Sequence, residues 1–230
     1  MKTLNPKRTA RRSAYRPRWQ RRKEARPDEL VEAALDLFVE RGFAATRLED
    51  VAQRAGVSKG TMYLYFDSKE SLFQAVVRRA LVPTLVEGEA LLASHQGSSA
   101  DLLGTLIRRW WERIGVSKGS GILKLVIGES ANFPDITRIY HQEIVQRGRQ
   151  LVGAAIQRGI DRGEFRSVEV PPTVRLAMAP LLYAIIWKHS LIRCDAQETD
   201  WNAFIENHIE LFLRGLSAGS LGEERRGTAS

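Results

Sequence analysis

Apolar residues recur at helical spacing along most of the chain, and the pattern predicts an all-α fold. Leu30, Ala34, Leu37 and Phe38 make one stripe, with Asp28, Glu29, Glu32, Asp36 and Glu40 on the other faces, so a first helix is expected over residues 27–41. Pro27 suits its first turn, the acids suit the positive end of its dipole, and Gly42 suits its stop. Thr46-Arg47-Leu48-Glu49 has the form of a capping box opening a second helix, whose Leu48, Val51, Ala52 and Ala55 face inward. Gly56 fits a tight turn, Val57 anchors that turn, and Ser58 can accept the orphan N–H groups of the next helix. In that helix Met62 and Phe66, four apart, pack inward, while Lys59, Thr61, Tyr63, Leu64 and Tyr65 project elsewhere. Asp67-Ser68-Lys69-Glu70 then caps a fourth helix, carrying Leu72, Phe73, Val76, Val77 and Ala80.

The stretch from Gly56 to Phe66 thus reads as the turn and second helix of a helix-turn-helix. A cation, a hydroxyl and two phenols on its outer side suit phosphates and base edges, and Leu64 or the Thr61 methyl suits a thymine methyl.

Beyond Pro83 the periodicity predicts helices over 84–93, 100–114, 122–131, 135–163, 172–192 and 200–216. Gly148, Gly153 and Gly159 weaken the helix over 135–163, where a kink or a frayed end is expected. The 172–192 helix is apolar nearly all round, and 200–216 carries Trp201, Phe204, Ile205, His208, Phe212 and Leu216 on one stripe. That excess predicts a homodimer through these last two helices, a four-helix seam across a two-fold axis; intramolecular core is the alternative. A small-molecule pocket would lie among the helices of this part. Trp110, Trp111, Phe133, Tyr140, Tyr183 and Trp187 are the candidate walls and Glu129, Asn132 and His141 the candidate polar anchors, a set that fits an apolar or aromatic effector; plain core or surface is the alternative for each.

Charge changes this picture at one end. Residues 1–26 hold eleven Lys/Arg and one acid, a net of +10, so the other 204 residues carry −2 of the total +8. This segment lacks apolar periodicity and reads as a disordered basic arm, able to follow phosphates or enter the minor groove; a solvated tail is the alternative. Residues 27–73 carry five Lys/Arg against nine acids, a net of −4, so the arm is expected to supply attraction that the module lacks. Domains are therefore expected at 27–73 (DNA binding) and 74–217 (effector binding and dimerisation), with a flexible tail over 218–230.

The single cysteine, Cys194, allows no internal disulfide and fits a reducing cytoplasm. The best apolar run, 177–187, is eleven residues with Pro180 inside, so no membrane span is expected. An enzyme finds little footing: His95, His141, His189 and His208 are scattered, there is no metal-ligand spacing and no phosphate-cradling glycine loop, and no cofactor is expected.

Thr46, Val51-Ala52, Ala55-Gly56-Val57-Ser58, Gly60-Thr61, Tyr63, Tyr65-Phe66, Ser68-Lys69-Glu70 and Leu72-Phe73 closely resemble the N-terminal signature of the TetR family of bacterial transcriptional regulators, without a gap over 27–73. The block 129–166, with Asn132-Phe133-Pro134 and Arg162-Gly163-Glu164-Phe165, is also similar to the C-terminal regions of many such regulators. The resemblance implies a one-component regulator, a repressor by expectation, that binds a palindromic double-stranded DNA operator as a homodimer and is released by a small molecule. It implies that the positions of Thr46, Ser58, Lys59, Gly60, Thr61, Tyr63, Leu64, Tyr65 and Lys69 lie at the DNA. Lys69, Thr46, Tyr63 and Tyr65 are expected on phosphates, and Lys59, Thr61 and Leu64 on base edges. Arg47 stands where many relatives have Thr or Ser; a phosphate or groove contact and a solvated charge are both open for it. The competing class is a nucleic-acid binder without effector, driven by the arm and nearly indifferent to sequence.

Overall fold

Ten α-helices and their wider turns make up most of the described residues, because apolar stripes at helical spacing are buried by packing helix on helix. A computed structural model describes residues 18–194 and 198–219, with side chains from Pro27 onward except that of Arg193. The arm expectation over 1–17 and the tail expectation over 220–230 lie outside the described residues.

Helix α1 (Arg18–Ala45) begins nine residues ahead of the expected start, with Pro27 inside it. Absence of an apolar stripe was a poor guide here. Arg18 to Arg26 is built from good helix formers, which need no buried face to extend a helix already nucleated by the core. Gly42 does break α1, at φ +84°, a conformation that a side chain would oppose. Helix α2 (Leu48–Arg54) is not opened by a capping box: Arg47 is the residue at its N-cap and gives no side-chain cap. Thr46 is 1% exposed, and its hydroxyl donates back to the Gly42 carbonyl at 2.7 Å, so it stitches the break in α1.

Helix α3 (Lys59–Tyr65) follows a turn in which Gly56 takes φ +67° and Ser58 Oγ accepts the Thr61 N–H at 3.1 Å. Helix α4 (Lys69–Ser94) is one rod through Pro83, opened by a reciprocal cap between Ser68 and Ser71. The sequence boundary at 73/74 and the separate helix over 84–93 thus fall inside a single element that crosses from one part of the molecule to the other. Phe38, Phe43 and Phe73 pack with ring centroids 5.3–5.5 Å apart and join α1 to α4. Each such buried ring contributes about 1.5–3 kcal/mol.

The second part comprises α5 (Ser99–Trp110), α6 (Gly119–Glu129), α7 (Pro134–Tyr140), α8 (Gln146–Asp161), α9 (Val170–Ile186) and α10 (Trp201–Leu216). Wider turns at Trp111–Gly115, His141–Val145 and Trp187–Leu191 continue α5, α7 and α9. The kink expected at the glycines of 135–163 is not there: the wider turn lies ahead of them at His141–Val145, and α8 runs through Gly148, Gly153 and Gly159. Of these glycines Gly159 serves close packing: a Cβ there would stand 2.1 Å from the Phe165 ring. With its wider turn, α9 reaches 22 residues, Val170–Leu191, long and apolar enough by composition to cross a membrane, longer than the run read from the sequence. It packs against α8, α10 and α6, with Val174, Ala177, Leu181, Ala184 and Ile185 buried.

Candidate nucleic-acid interface and effector cavity

On α3 the inward side is closed by Met62, which is fully buried, and the outer side is open: Lys59, Gly60 and Tyr63 are exposed and Leu64 is 73% exposed. Ser58, just before the helix, is exposed too, and its Oγ lies 2.9 Å from the Thr61 hydroxyl. Tyr65 and Phe66 are half-buried. Arg47 stands exposed at the start of α2, on the same helix-turn-helix.

The cations here are nearly all engaged. Lys59 Nζ lies 2.7 Å from Glu49 Oε1, which also accepts from the Tyr63 hydroxyl at 3.3 Å; Lys59 Nζ sits 5.7 Å from the Tyr63 ring centroid. The hydrogen bond from Lys59 holds the Glu49 carboxyl below the usual glutamate range and raises the lysine. Arg54 makes a two-pronged pair with Glu40, at 2.8 and 3.1 Å, clamping α2 to α1.

Two expected phosphate contacts are placed otherwise. Thr46 has its hydroxyl committed inside the fold and no exposed surface to offer. Lys69 Nζ donates to the Phe43 carbonyl at 2.8 Å and the Ala44 carbonyl at 3.2 Å, and lies 4.4 Å from the Phe43 ring centroid. Burial pulls this ammonium below the ordinary lysine value. It ties the last carbonyls of α1 to the start of α4, leaving one of its three protons for anything outside.

A cavity of about 330 Å³ opens among α4, α5, α8 and α9. Leu85, Leu106, Ile107, Leu151, Met178 and Leu181 are among the side chains that line it. Of the six aromatic walls expected, Trp110 and Tyr140 are there. Burial pushes the Tyr140 phenol up to about 12, so it stays a neutral donor. The other four belong elsewhere. Trp111 is buried and donates to Asn202 at 2.8 Å. Phe133 packs 4.7 Å from Phe43, where the start of α7 meets the aromatic cluster of α1. Tyr183 and Trp187 form a cluster with Trp201 and Phe204 along α9 and α10. Nor do Glu129, Asn132 or His141 reach the cavity; the first two bond each other at 3.1 Å. The polar groups that do line it include Arg109, Arg149 and Arg175, which pattern reading passed over because isolated charges on helices look like solvated surface. Among the described residues no group of three or more His, Cys, Asp or Glu could hold a metal ion.

A short helix with an open polar face, turned on a left-handed glycine and backed by two others, is the geometry of a helix-turn-helix DNA-binding protein, here carried on a helical domain with an internal cavity. Residues 30–76 match the model of bacterial regulatory proteins of the tetR family, and residues 94–198 match that of the tetracyclin repressor-like C-terminal domain. The transcriptional repressor KstR2 of Rhodococcus jostii (strain RHA1) is 30% identical over 172 residues, covering 72% of this chain and 80% of that one. The regulator RutR of Escherichia coli (strain K12) is 49% identical over 57 residues, 25% of this chain and 27% of that one. A crystal structure of a TetR-family regulator from Mesorhizobium loti superposes with a TM-score of 0.67 at 20% identity, over 88% of this chain and all of that one. The chain belongs to the TetR family and is a transcriptional regulator of that family.

Proposed function

We propose that the protein is a repressor that binds a palindromic operator as a homodimer in the cytoplasm and is released by a small molecule taken into the cavity. The observation that carries this reading is α4: its Phe73 packs on Phe38 and Phe43 of α1, the helix that holds the α2–α3 pair through α2, and its Leu81, Leu85 and Gly88 line the cavity. A ligand that shifts α4 therefore shifts the DNA-reading helix, and an effector with different affinity for the two positions weakens DNA binding by linkage. Lys59, Gly60, Thr61 and Leu64 would meet base edges, and Arg47, Ser58, Tyr63, Tyr65 and the remaining proton of Lys69 would meet phosphates.

The dimer seam is supported by apolar side chains left open on α9 and α10: Leu176 is 65% exposed and Leu211 71%, with Tyr183 and Ile186 also exposed. Two copies joined there would set their α3 helices about 34–36 Å apart, one DNA turn, or a multiple of it. Footprinting on promoter DNA is expected to show a short palindrome protected by a dimer. Coating of the DNA without a boundary would overturn the reading and favour a sequence-indifferent binder.

A further inference from the structure

The arginines of the second part of the molecule divide into two groups. Arg78, Arg79, Arg108, Arg113, Arg138, Arg147 and Arg214 each pair with an acid. Arg158, Arg162 and Arg166 each donate to a backbone carbonyl. Among the residues from Arg78 onward whose side chains are described, Arg109, Arg149 and Arg175 are the arginines left without an acid or carbonyl partner, and all three line the cavity. They come from three different helices, α5, α8 and α9. Their side chains are exposed, so they stand at the opening and not in the apolar interior. Glu87, the carboxylate that also lines the cavity, is taken by Arg113 at 3.4 Å.

Three like charges brought to one opening repel one another, and a domain that pairs its other described guanidinium groups gains nothing from leaving these bare. A planar guanidinium presents a fork of donors suited to carboxylate or phosphate oxygens. Behind them the walls are apolar, and the volume falls at the lower end of the roughly 300–1,000 Å³ of small-molecule sites.

Building on the effector reading above, we propose that the cavity takes an amphipathic anion, with an apolar body between α4, α5, α8 and α9 and a negatively charged head on Arg109, Arg149 and Arg175. The Tyr140 hydroxyl, which has no hydrogen-bond partner among the described residues, offers a further donor to a carbonyl within the ligand. The head is a free carboxylate or, where the acid is carried as its coenzyme A thioester, the phosphates of the coenzyme; both present anionic oxygens to the forks.

Calorimetric titration of the full chain with dodecanoate, dodecanoyl-coenzyme A and dodecanol tests this directly. At least one anion is expected to bind at one site per chain, at least about tenfold tighter than the alcohol, since charge-assisted hydrogen bonds to several guanidinium groups are lost with the head. Which anion is tighter identifies the head. The triple variant Arg109→Gln, Arg149→Gln, Arg175→Gln should bring the anion down to the affinity of the alcohol and leave the alcohol unchanged. Each single variant should lie between, which guards against a fold defect in the triple. Dodecanol binding as tightly as the anions, anions indifferent to the three substitutions, or no amphiphile binding at all would overturn the proposal. None of these outcomes touches the operator footprint, so a protected palindrome with a failed titration keeps the regulator and removes this class of effector.

Discussion

The DNA-reading module and the cavity mouth treat positive charge in opposite ways. In the module Lys59 lies against Glu49, Arg54 against Glu40 and Arg41 against Asp50, while Lys69 is spent on carbonyls of α1. At the cavity mouth three arginines stand without such partners. Charge already paired inside the protein must be exchanged before it serves a ligand, and exchange returns little; bare charge is available at once. The module by itself therefore offers little unpaired charge to attract DNA. Bulk attraction has to come from elsewhere, and residues 1–17 hold six Lys/Arg and no acid.

Removing residues 1–17 is the strongest way to break this comparison. If the six cations neutralise phosphates, the slope of log affinity against log salt falls by up to about 5 per protomer, with affinity at low salt dropping by orders of magnitude. Fluorescence anisotropy on an operator fragment over a salt series reads this. An unchanged slope would return the burden of attraction to the module.

Thr46→Val tests whether that residue serves the fold. Its hydroxyl is buried on the Gly42 carbonyl, and deleting it leaves the carbonyl without that donor, so stability should fall by about 1–3 kcal/mol. Thermal unfolding reads the loss, and the salt slope of DNA binding should not move. A changed slope with unchanged stability would restore Thr46 to the DNA.

The module and the cavity mark where sequence reading succeeds and where it stops. Gly56, Ser58 and Met62 were legible because a left-handed turn, a cap and an inward face are local demands, each met by few residue types. Thr46 was misread because Thr-x-x-Glu looks the same whether its hydroxyl caps the next helix or turns back to the previous one. The cavity was hardest. Periodicity puts Trp111, Phe133, Tyr183 and Trp187 on apolar stretches, but does not say against which neighbour they pack, and they went to Asn202, to Phe43 and to the α9–α10 cluster. Arg109, Arg149 and Arg175 are separated by 40 and 26 positions, and only the packing of three helices brings them to one opening.

Arg47 is the exception within the module, since among the described residues its exposed side chain has no acid or carbonyl partner. Arg47→Ala should lower affinity uniformly across operator sequences and reduce the salt slope by about 0.9 per protomer, as expected for one phosphate contact. Unchanged binding would make it a solvated charge and leave the module without a ready cation.

Glu49→Gln probes the same comparison from the acid's side and carries the smallest effect. The carboxyl holds both Lys59 and Tyr63, so DNA must compete with it for two groups on the reading face. Without the charge, Lys59 is released, and the variant should bind operator slightly tighter but discriminate less well among base substitutions, because the lysine is no longer held in one place. The pH dependence follows from the lowered carboxyl. A depressed folded pKa means that the pair is complete above the unfolded glutamate value and is lost as pH falls through the folded one. The gap between variant and wild type should therefore persist from neutral pH down to the ordinary glutamate value of about 4.3 and close only below it. NMR titration of the Glu49 carboxyl reads this independently of DNA: its midpoint should lie below the ordinary range in wild type and move back toward it in Lys59→Ala. A midpoint that ignores Lys59 would mean that the pair does not restrain the reading face, and the contrast with the cavity mouth would then rest on the other cations of the module.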